Sequence, residues 1–393
     1  MREGNPEPFY EKVITDVEHD IYIEELTLTN DELNIEEEWV IRKRRLKGGL
    51  SDGVDIITVN NGSLSFTIIP TRGMSIWRGY FGDIRLGWDS PIKNPVHPRH
   101  INLESRGFLG WLDGFNEWIV RCGLESFGAP GTDIIIDNMG RKKEITLPLH
   151  GKIANIPAEV VKVKVTRKPQ VELIVEGILF ERSMFGPNLK LVTEIVTFPK
   201  SNSIIIRDTV ENLKPLPQEM QLLYHCNYGK PVLNKGARII APFLKVMPRD
   251  EIAAKDIETF DIYGPPKAGF VEQVYFCELA CDDHAYTTVA LINKDENLAT
   301  SITYSVRELP YFTIWKNTAS EGEGYVTGLE PATSYPNPRR VERENGRIVK
   351  LGPKESFKTQ LKFAVHVEKD EIKEIKERIE ELKVKPIIYK KPL

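Results

Sequence analysis

The feature that most restricts this chain is a succession of short β-branched runs, each closed by turn residues. Val54-Asp55-Ile56-Ile57-Thr58-Val59 and Leu64-Ser65-Phe66-Thr67-Ile68-Ile69 flank Asn60-Asn61-Gly62. An Asn-Gly pair between such runs predicts a hairpin. Further strands are expected at Met74–Tyr80, Ile84–Trp88, Val160–Thr166, Val171–Phe180, Lys190–Phe198, Ser203–Val210, Glu219–Tyr224, Ala237–Phe243, Val271–Cys281, Tyr286–Ile292, Ala299–Val306, Tyr311–Lys316 and Phe357–Val365. Lys168-Pro169, Gly186-Pro187-Asn188 and Pro199–Asn202 punctuate them. Many short strands with few helical stretches between them indicate an all-β chain, a large antiparallel sandwich rather than βαβ units.

One helix stands out, Lys369 to Lys383, where Ile372, Ile375, Ile379 and Leu382 recur at spacings of three and four. That stripe should pack on the body. Residues 1–50 are acidic and polar and read as an N-terminal extension packed on the body, and 51–393 as a single sandwich domain. At 393 residues with 41% hydrophobic and 28% charged side chains, the composition is that of a globular protein.

Several function classes are excluded. The net charge of −4 comes with no basic stripe, so no nucleic-acid partner is expected. No apolar run is long enough to cross a bilayer, and Met1–Tyr10 lacks the apolar core of a signal peptide. A cytoplasmic location is expected. No Walker-type or GxGxxG loop is present, which argues against nucleotide chemistry. Cys122, Cys226, Cys277 and Cys281 are too scattered for a disulfide framework. Cys277, Cys281 and His284 lack the second knuckle of a zinc site, so they read as strand cysteines and no metal is expected.

The candidate chemistry rests on a few side chains. Leu222–Tyr228 is an apolar run carrying His225 beside Asn227, and it breaks at Gly229 and Pro231. Gly328-Leu329-Glu330-Pro331 repeats the arrangement with a carboxylate. A histidine and a glutamate that each leave a strand at a Gly/Pro break are candidates for general acid and general base. Hydrogen bonds to the Glu330 carboxylate would keep it a competent base. His150 closes an apolar run before Gly151. Arg72 sits at a strand break in Pro70-Thr71-Arg72-Gly73, where it could hold hydroxyls or cap a turn. The stretch from Pro91 to Pro148 is the least strand-like, and Trp111, Asn116, Trp118 and Arg121 within it suit a carbohydrate surface. A loop-rich edge packed by its tryptophans is the alternative. Trp315 ends its own strand upstream of Glu330.

The order of these features resembles the galactose mutarotase-like superfamily, the aldose 1-epimerases, over roughly Val54 to His366. Its members carry an early arginine, a His-Gly histidine, a strand-borne histidine and a late Leu-Glu glutamate. Here those positions are Arg72, His150-Gly151, His225 in Tyr224-His225-Cys226-Asn227, and Glu330, trailed by Tyr335-Pro336-Asn337-Pro338. Leu351–Phe357 fits the closing segment. The resemblance implies a β-supersandwich that binds a small-molecule sugar and interconverts its anomers without a cofactor. Glu330 would be the base and His225, with an ordinary pKa of about 6.5, the acid. Arg72, His150 and Asn227 would hold ring hydroxyls and Trp315 would floor the pocket. The family's substrate-binding aspartate has no clear counterpart; Glu272 or Asp261 could substitute. The Asn-x-Arg-x-x-Arg segment near the first arginine is absent. Related sandwiches host other sugar chemistry, so a lyase, an epimerase at another carbon and a non-catalytic carbohydrate-binding protein are alternatives. Oligomeric state stays open, a homodimer included.

Overall fold

The computed structural model of the chain describes residues 8–392; most of the polar stretch Met1–Tyr10 lies outside them. Two large sheets face each other across one continuous core. A ten-stranded sheet runs from Arg238–Ile240 through Tyr286–Ile292, Ala299–Ser305, Ser356–His366, Ser203–Asn212, Asn188–Thr197, Leu173–Arg182 and Val160–Val165 to Tyr10–Asp16 and Ile21–Tyr22. The second sheet has fourteen strands. Its middle order is Gln273–Leu279, Tyr311–Thr318, Tyr325–Ala332, Gln218–Tyr228, Ile119–Leu124 and Ser75–Phe81. Neighbours in that middle are all antiparallel.

Alternation along each strand decides what meets the core. In Val160–Val165 the valines 161, 163 and 165 are buried while Lys162 and Lys164 face outward to Glu176. The Asn60–Gly62 hairpin forms as expected, with Asn61 Oδ1 accepting from the Leu64 N–H. The helix Lys369–Glu381 lays Ile372, Ile375 and Ile379 on Ala290, Ile292 and Ala299. Among the described residues no helix is long and apolar enough to cross a membrane. Cys122, Cys226 and Cys277 are buried in strands, and Cys281 lies just past one.

Three expectations need correction. The segment Pro91–Pro148 is less irregular than its sequence suggests: Ile119–Leu124 is a fully buried strand of the large sheet, and Gly131–Ile136 pairs with Lys142–Leu147 as a separate hairpin. Residues 10–45 do more than lie on the body. Tyr10–Asp16 hydrogen-bonds to Val160–Val165 in one sheet, and Val40–Arg45 to Asp55–Asn60 in the other.

The third correction concerns Glu330. Gly328 and Pro331 do not end its strand but lie inside Tyr325–Ala332. The ladder to Gln218–Tyr228 is interrupted between the pairs Leu223↔Ala332 and Cys226↔Leu329. Pro331, which has no N–H to give, falls in that gap, while its other side pairs with Phe312. His225 likewise lies inside its strand, and the break comes only after Tyr228.

Candidate active site

Sheet parity places the site. Leu222, Tyr224, Cys226 and Tyr228 enter the core between the sheets, so Leu223 and His225 point to the other face. By the same alternation Leu329 enters the core while Val326 and Ala332 sit on the outer face, and Glu330 with them. The pairs on either side of the ladder gap keep one register and set His225 opposite Glu330. His225 Nε2 lies 3.2 Å from Glu330 Oε1. That distance allows a hydrogen bond, but the atoms are not aligned for one, and Oε1 is buried without a hydrogen-bond partner among the described residues. The expected hydrogen bonds to this carboxylate are therefore missing at that oxygen.

The two side chains share one hollow of about 360 Å³. Its wall comes from the 3₁₀ turn Gly110–Gly114 and the residue after it, which bring Trp111 and Phe115 over the sheet. The Phe115 ring centroid is 5.1 Å from that of His225, and Trp315 stands at 5.4 Å on another side. Glu272 accepts a 2.7 Å hydrogen bond from Trp315 Nε1 and pairs with Arg249 at 3.0 Å. His150 closes the hollow, its ring nearly perpendicular to His225 at 5.4 Å and 4.7 Å from Trp111. Its backbone φ is +56°, which turns the chain where Gly151 packs against Gly123. Thr313, paired directly with Glu330, also faces the hollow. Among the described residues, His150 Nδ1, Thr313 Oγ1 and Trp111 Nε1 are buried with no hydrogen-bond partner, as is Glu330 Oε1. Buried polar atoms are normally paired. Four unpaired ones around a single hollow mark where a polar ligand would complete them.

The proton inventory follows from burial. Glu330 is 2% exposed, and desolvation, reinforced by the nearby Glu272 charge and opposed by Arg249, raises its pKa well above the carboxylate range. His225 is 4% exposed, and desolvation lowers its pKa to about 4, against the opposing hydrogen bond that its Nδ1 gives to Asn227 Oδ1. His150 is pushed well down by burial and by His225. Burial therefore leaves the imidazole neutral near neutrality and favours a proton on the carboxyl over one on the ring, opposite to the protonation the sequence suggests. The tautomer is fixed as well. Asn227 Nδ2 donates to the carbonyls of Glu117 and His225, which turns Oδ1 toward His225 Nδ1 at 2.6 Å. Nδ1 then carries the hydrogen, and Nε2 presents a lone pair to the hollow.

Of the residues singled out in the sequence, His225, Glu330, His150, Trp315 and Glu272 converge here. Asn227 stands behind His225 and orients it, and is not placed to hold a hydroxyl. Arg72 is fully buried. Its guanidinium donates to Glu117, Gly114, Val96 and Asn155 and pairs with the Glu117 carboxylate, so it ties down the loop behind the wall. Asn116 donates to the Ile92 carbonyl and lies outside the hollow. Arg121 pairs with Tyr224 in register and so faces the sandwich core, where it binds Asp208 and Thr193. A strand of alternating parity cannot put Arg121 and His225 on one face. Trp111, Phe115, Thr313 and Arg249 complete the site. Trp111 is the one of these that the irregular stretch already points to; the others carry no separate signal in the sequence.

A family model described as Domain of unknown function (DUF4432) matches residues 51–365. A solved structure from Klebsiella pneumoniae subsp. pneumoniae, provisionally named an aldose 1-epimerase, is 34% identical. It covers 98% of this chain and 99% of its own, with a TM-score of 0.92. A galactose mutarotase-like protein from Clostridium acetobutylicum (15% identity, 84% of this chain and 98% of its own, TM-score 0.54) shares the fold. So does a protein from Escherichia coli K12, again provisionally named an aldose 1-epimerase (14% identity, 80% and 100%, TM-score 0.53). No curated protein matches the chain. The chain belongs to the DUF4432 family and takes the galactose mutarotase-like fold.

Proposed function

We propose that this protein is a cofactor-independent enzyme that interconverts the α and β anomers of an aldose. The observation that carries the reading is the His225–Glu330 pair, one transferable proton between two buried groups 3.2 Å apart at the floor of a ring-sized hollow. Ring opening needs one group that takes a proton from the anomeric hydroxyl and one that gives a proton to the ring oxygen. Both oxygens are bonded to the same carbon, so they reach a pair of adjacent groups together.

His225 Nε2 accepts the hydroxyl proton as Glu330 gives its own to the ring oxygen, and the bond from the anomeric carbon to that oxygen breaks. The products are a carbonyl, an alcohol, an imidazolium and a carboxylate. The last two stabilise each other at this distance in a low-dielectric site. Rotation about the bond beside the carbonyl presents its other face. The alcohol then attacks, its proton returns to Glu330, and His225 protonates the carbonyl oxygen. Each group acts once as acid and once as base, and the pair ends as it began.

General acid–base groups of this kind supply on the order of 10² to 10⁴ in rate. Trp315, Phe115 and Trp111 would cover the apolar face of the sugar, and the unpaired atoms of His150, Thr313 and Trp111 would meet its hydroxyls. The test is polarimetry or NMR of freshly dissolved α-hexoses and pentoses. Relaxation faster than the buffer rate, lost in Glu330→Gln, supports the reading. Uncatalysed relaxation of every sugar, or products other than anomers, overturns it in favour of a binding protein or a different sugar-modifying enzyme.

A further inference from the structure

Beside the hollow that holds His225 and Glu330 lies a second one of about 460 Å³ on the same face of the large sheet. Arg249 lines both. The strand Gln273–Leu279 runs under both, presenting Val274 to the first and Phe276 to the second. Two residues along a strand advance about 6.6 Å, roughly one sugar ring.

Phe276 stacks on Tyr335 with centroids 4.7 Å apart and planes inclined by 21°, and Tyr311 meets Tyr335 edge-on at 4.7 Å. Trp315 and Val274, from the first hollow, pack in the same cluster, so the aromatic surface is continuous between the two. Tyr335 is 5% exposed, and its hydroxyl is buried with no hydrogen-bond partner among the described residues. The cations of the second hollow are already neutralised: Lys245 by Glu278, Arg249 by Glu272 and Asp250, and Arg347 by Glu342. An aromatic shelf, one unsatisfied hydroxyl and balanced charge suit a neutral, hydroxyl-rich ring better than a phosphate or a uronate.

We propose that the second hollow is a subsite for a second sugar ring, and that the substrate is a reducing disaccharide or longer saccharide whose reducing end lies at His225 and Glu330. This rests on the anomer-interconversion reading for the role of the first hollow. The second ring is held through stacking on the Tyr311–Tyr335–Phe276 surface and through the Tyr335 hydroxyl.

Two measurements separate the two claims. Saturation-transfer NMR with methyl β-glycosides of maltose, cellobiose, lactose, laminaribiose, isomaltose and gentiobiose needs no catalysis, because a glycoside cannot open. Transfer to protons of both rings for at least one of them, weakened about tenfold in affinity by Tyr335→Phe, supports the subsite even if no sugar mutarotates. Transfer confined to one ring, or no transfer across the whole series, overturns it. Polarimetry of the free disaccharides against glucose and galactose adds the kinetic arm. The subsite predicts kcat/KM at least tenfold higher for a disaccharide, with that ratio collapsing toward one in Tyr311→Ala. An equal ratio in both proteins, on a chain with an unchanged melting curve, overturns it.

Discussion

Asn227 holds His225 by its Nδ1, at 2.6 Å, and so leaves Nε2 as the ring nitrogen that meets Glu330. Because neutral Nε2 is the acceptor, the wild-type rate should fall as pH drops through about 4, where that nitrogen takes up a proton. A histidine of ordinary pKa would give the same limb near about 6.5. Asn227→Asp places a carboxylate against Nδ1, which favours the imidazolium and moves the acid limb upward. The kcat/KM profile of both proteins checks this. An acid limb in the same place in both would remove Asn227 from the proton chemistry.

Glu330→Gln keeps shape but has no proton to give. It should lower kcat by at least about 10²-fold. The melting temperature should not fall, since the change also removes a buried acid whose ionised form is strongly disfavoured. Mutarotation rates and thermal melts at neutral pH measure the two effects side by side.

Gly328 has its own prediction. A Cβ there would lie 2.6 Å from Glu330 Oε1 and 2.9 Å from His225 Cε1. Gly328→Ala should therefore push the pair apart and cost on the order of 10²-fold in kcat, comparable to losing one of the groups. Near-wild-type turnover by Gly328→Ala, on a folded chain, would show that the spacing of the pair does not matter.

Arg121 lies on the wrong side of its strand for catalysis, and its ion pair with Asp208 is buried, both side chains being 1% exposed or less. Arg121→Leu leaves Asp208 uncompensated and should destabilise by about 3–5 kcal/mol. The fraction that remains folded should bind sugar with an unchanged KM. Denaturant titration alongside kinetics distinguishes this from a binding role.

Stability should also depend on pH through Glu181, whose pKa is raised to about 7 by burial and by Glu125. In the unfolded chain this acid ionises near its ordinary value, while the folded protein holds the proton. Its contribution is thus complete at acid pH and is lost as pH rises from about 4.5 toward about 7. His225 and His366, both lowered to about 4, act in the other direction, destabilising as pH falls from about 6.5 to about 4. The two effects oppose each other over the same pH range, so each masks part of the other in thermal melts. Glu181→Gln, which can still accept the Leu124 N–H now bound by Glu181, should therefore steepen the loss of melting temperature as pH falls from about 6.5 to about 4.

The sequence carried the architecture because alternation and turn chemistry are local signals. The Asn60–Gly62 hairpin and the Ile372–Ile379 stripe are both visible within a dozen residues. It carried His225 and Glu330 because each is a polar group inside an otherwise apolar run. Arg72 and Arg121 misled for a matching reason: a buried arginine looks the same in one dimension whether it serves a ligand or an internal carboxylate. Parity would have separated Arg121 from His225 had their pairing register been known, and register between distant strands is not a local property. The proton inventory was beyond reach, because it depends on how completely the Gly110–Gly114 turn and Phe115 cover the pair. The strand Tyr325–Ala332 was hidden by Gly328 and Pro331, two residues that usually end strands and here are accommodated by a gap in one ladder.

The interlock of residues 10–45 with both sheets has a practical bearing on where the family boundary is drawn. A polypeptide starting at residue 51 would keep every group around the His225–Glu330 pair, yet it would bare the long margins of Asp55–Asn60 and Val160–Val165 at once. Unpaired margins of that kind seek partners in other molecules. Such a truncation should precipitate through strand addition before any defect in its chemistry could be seen.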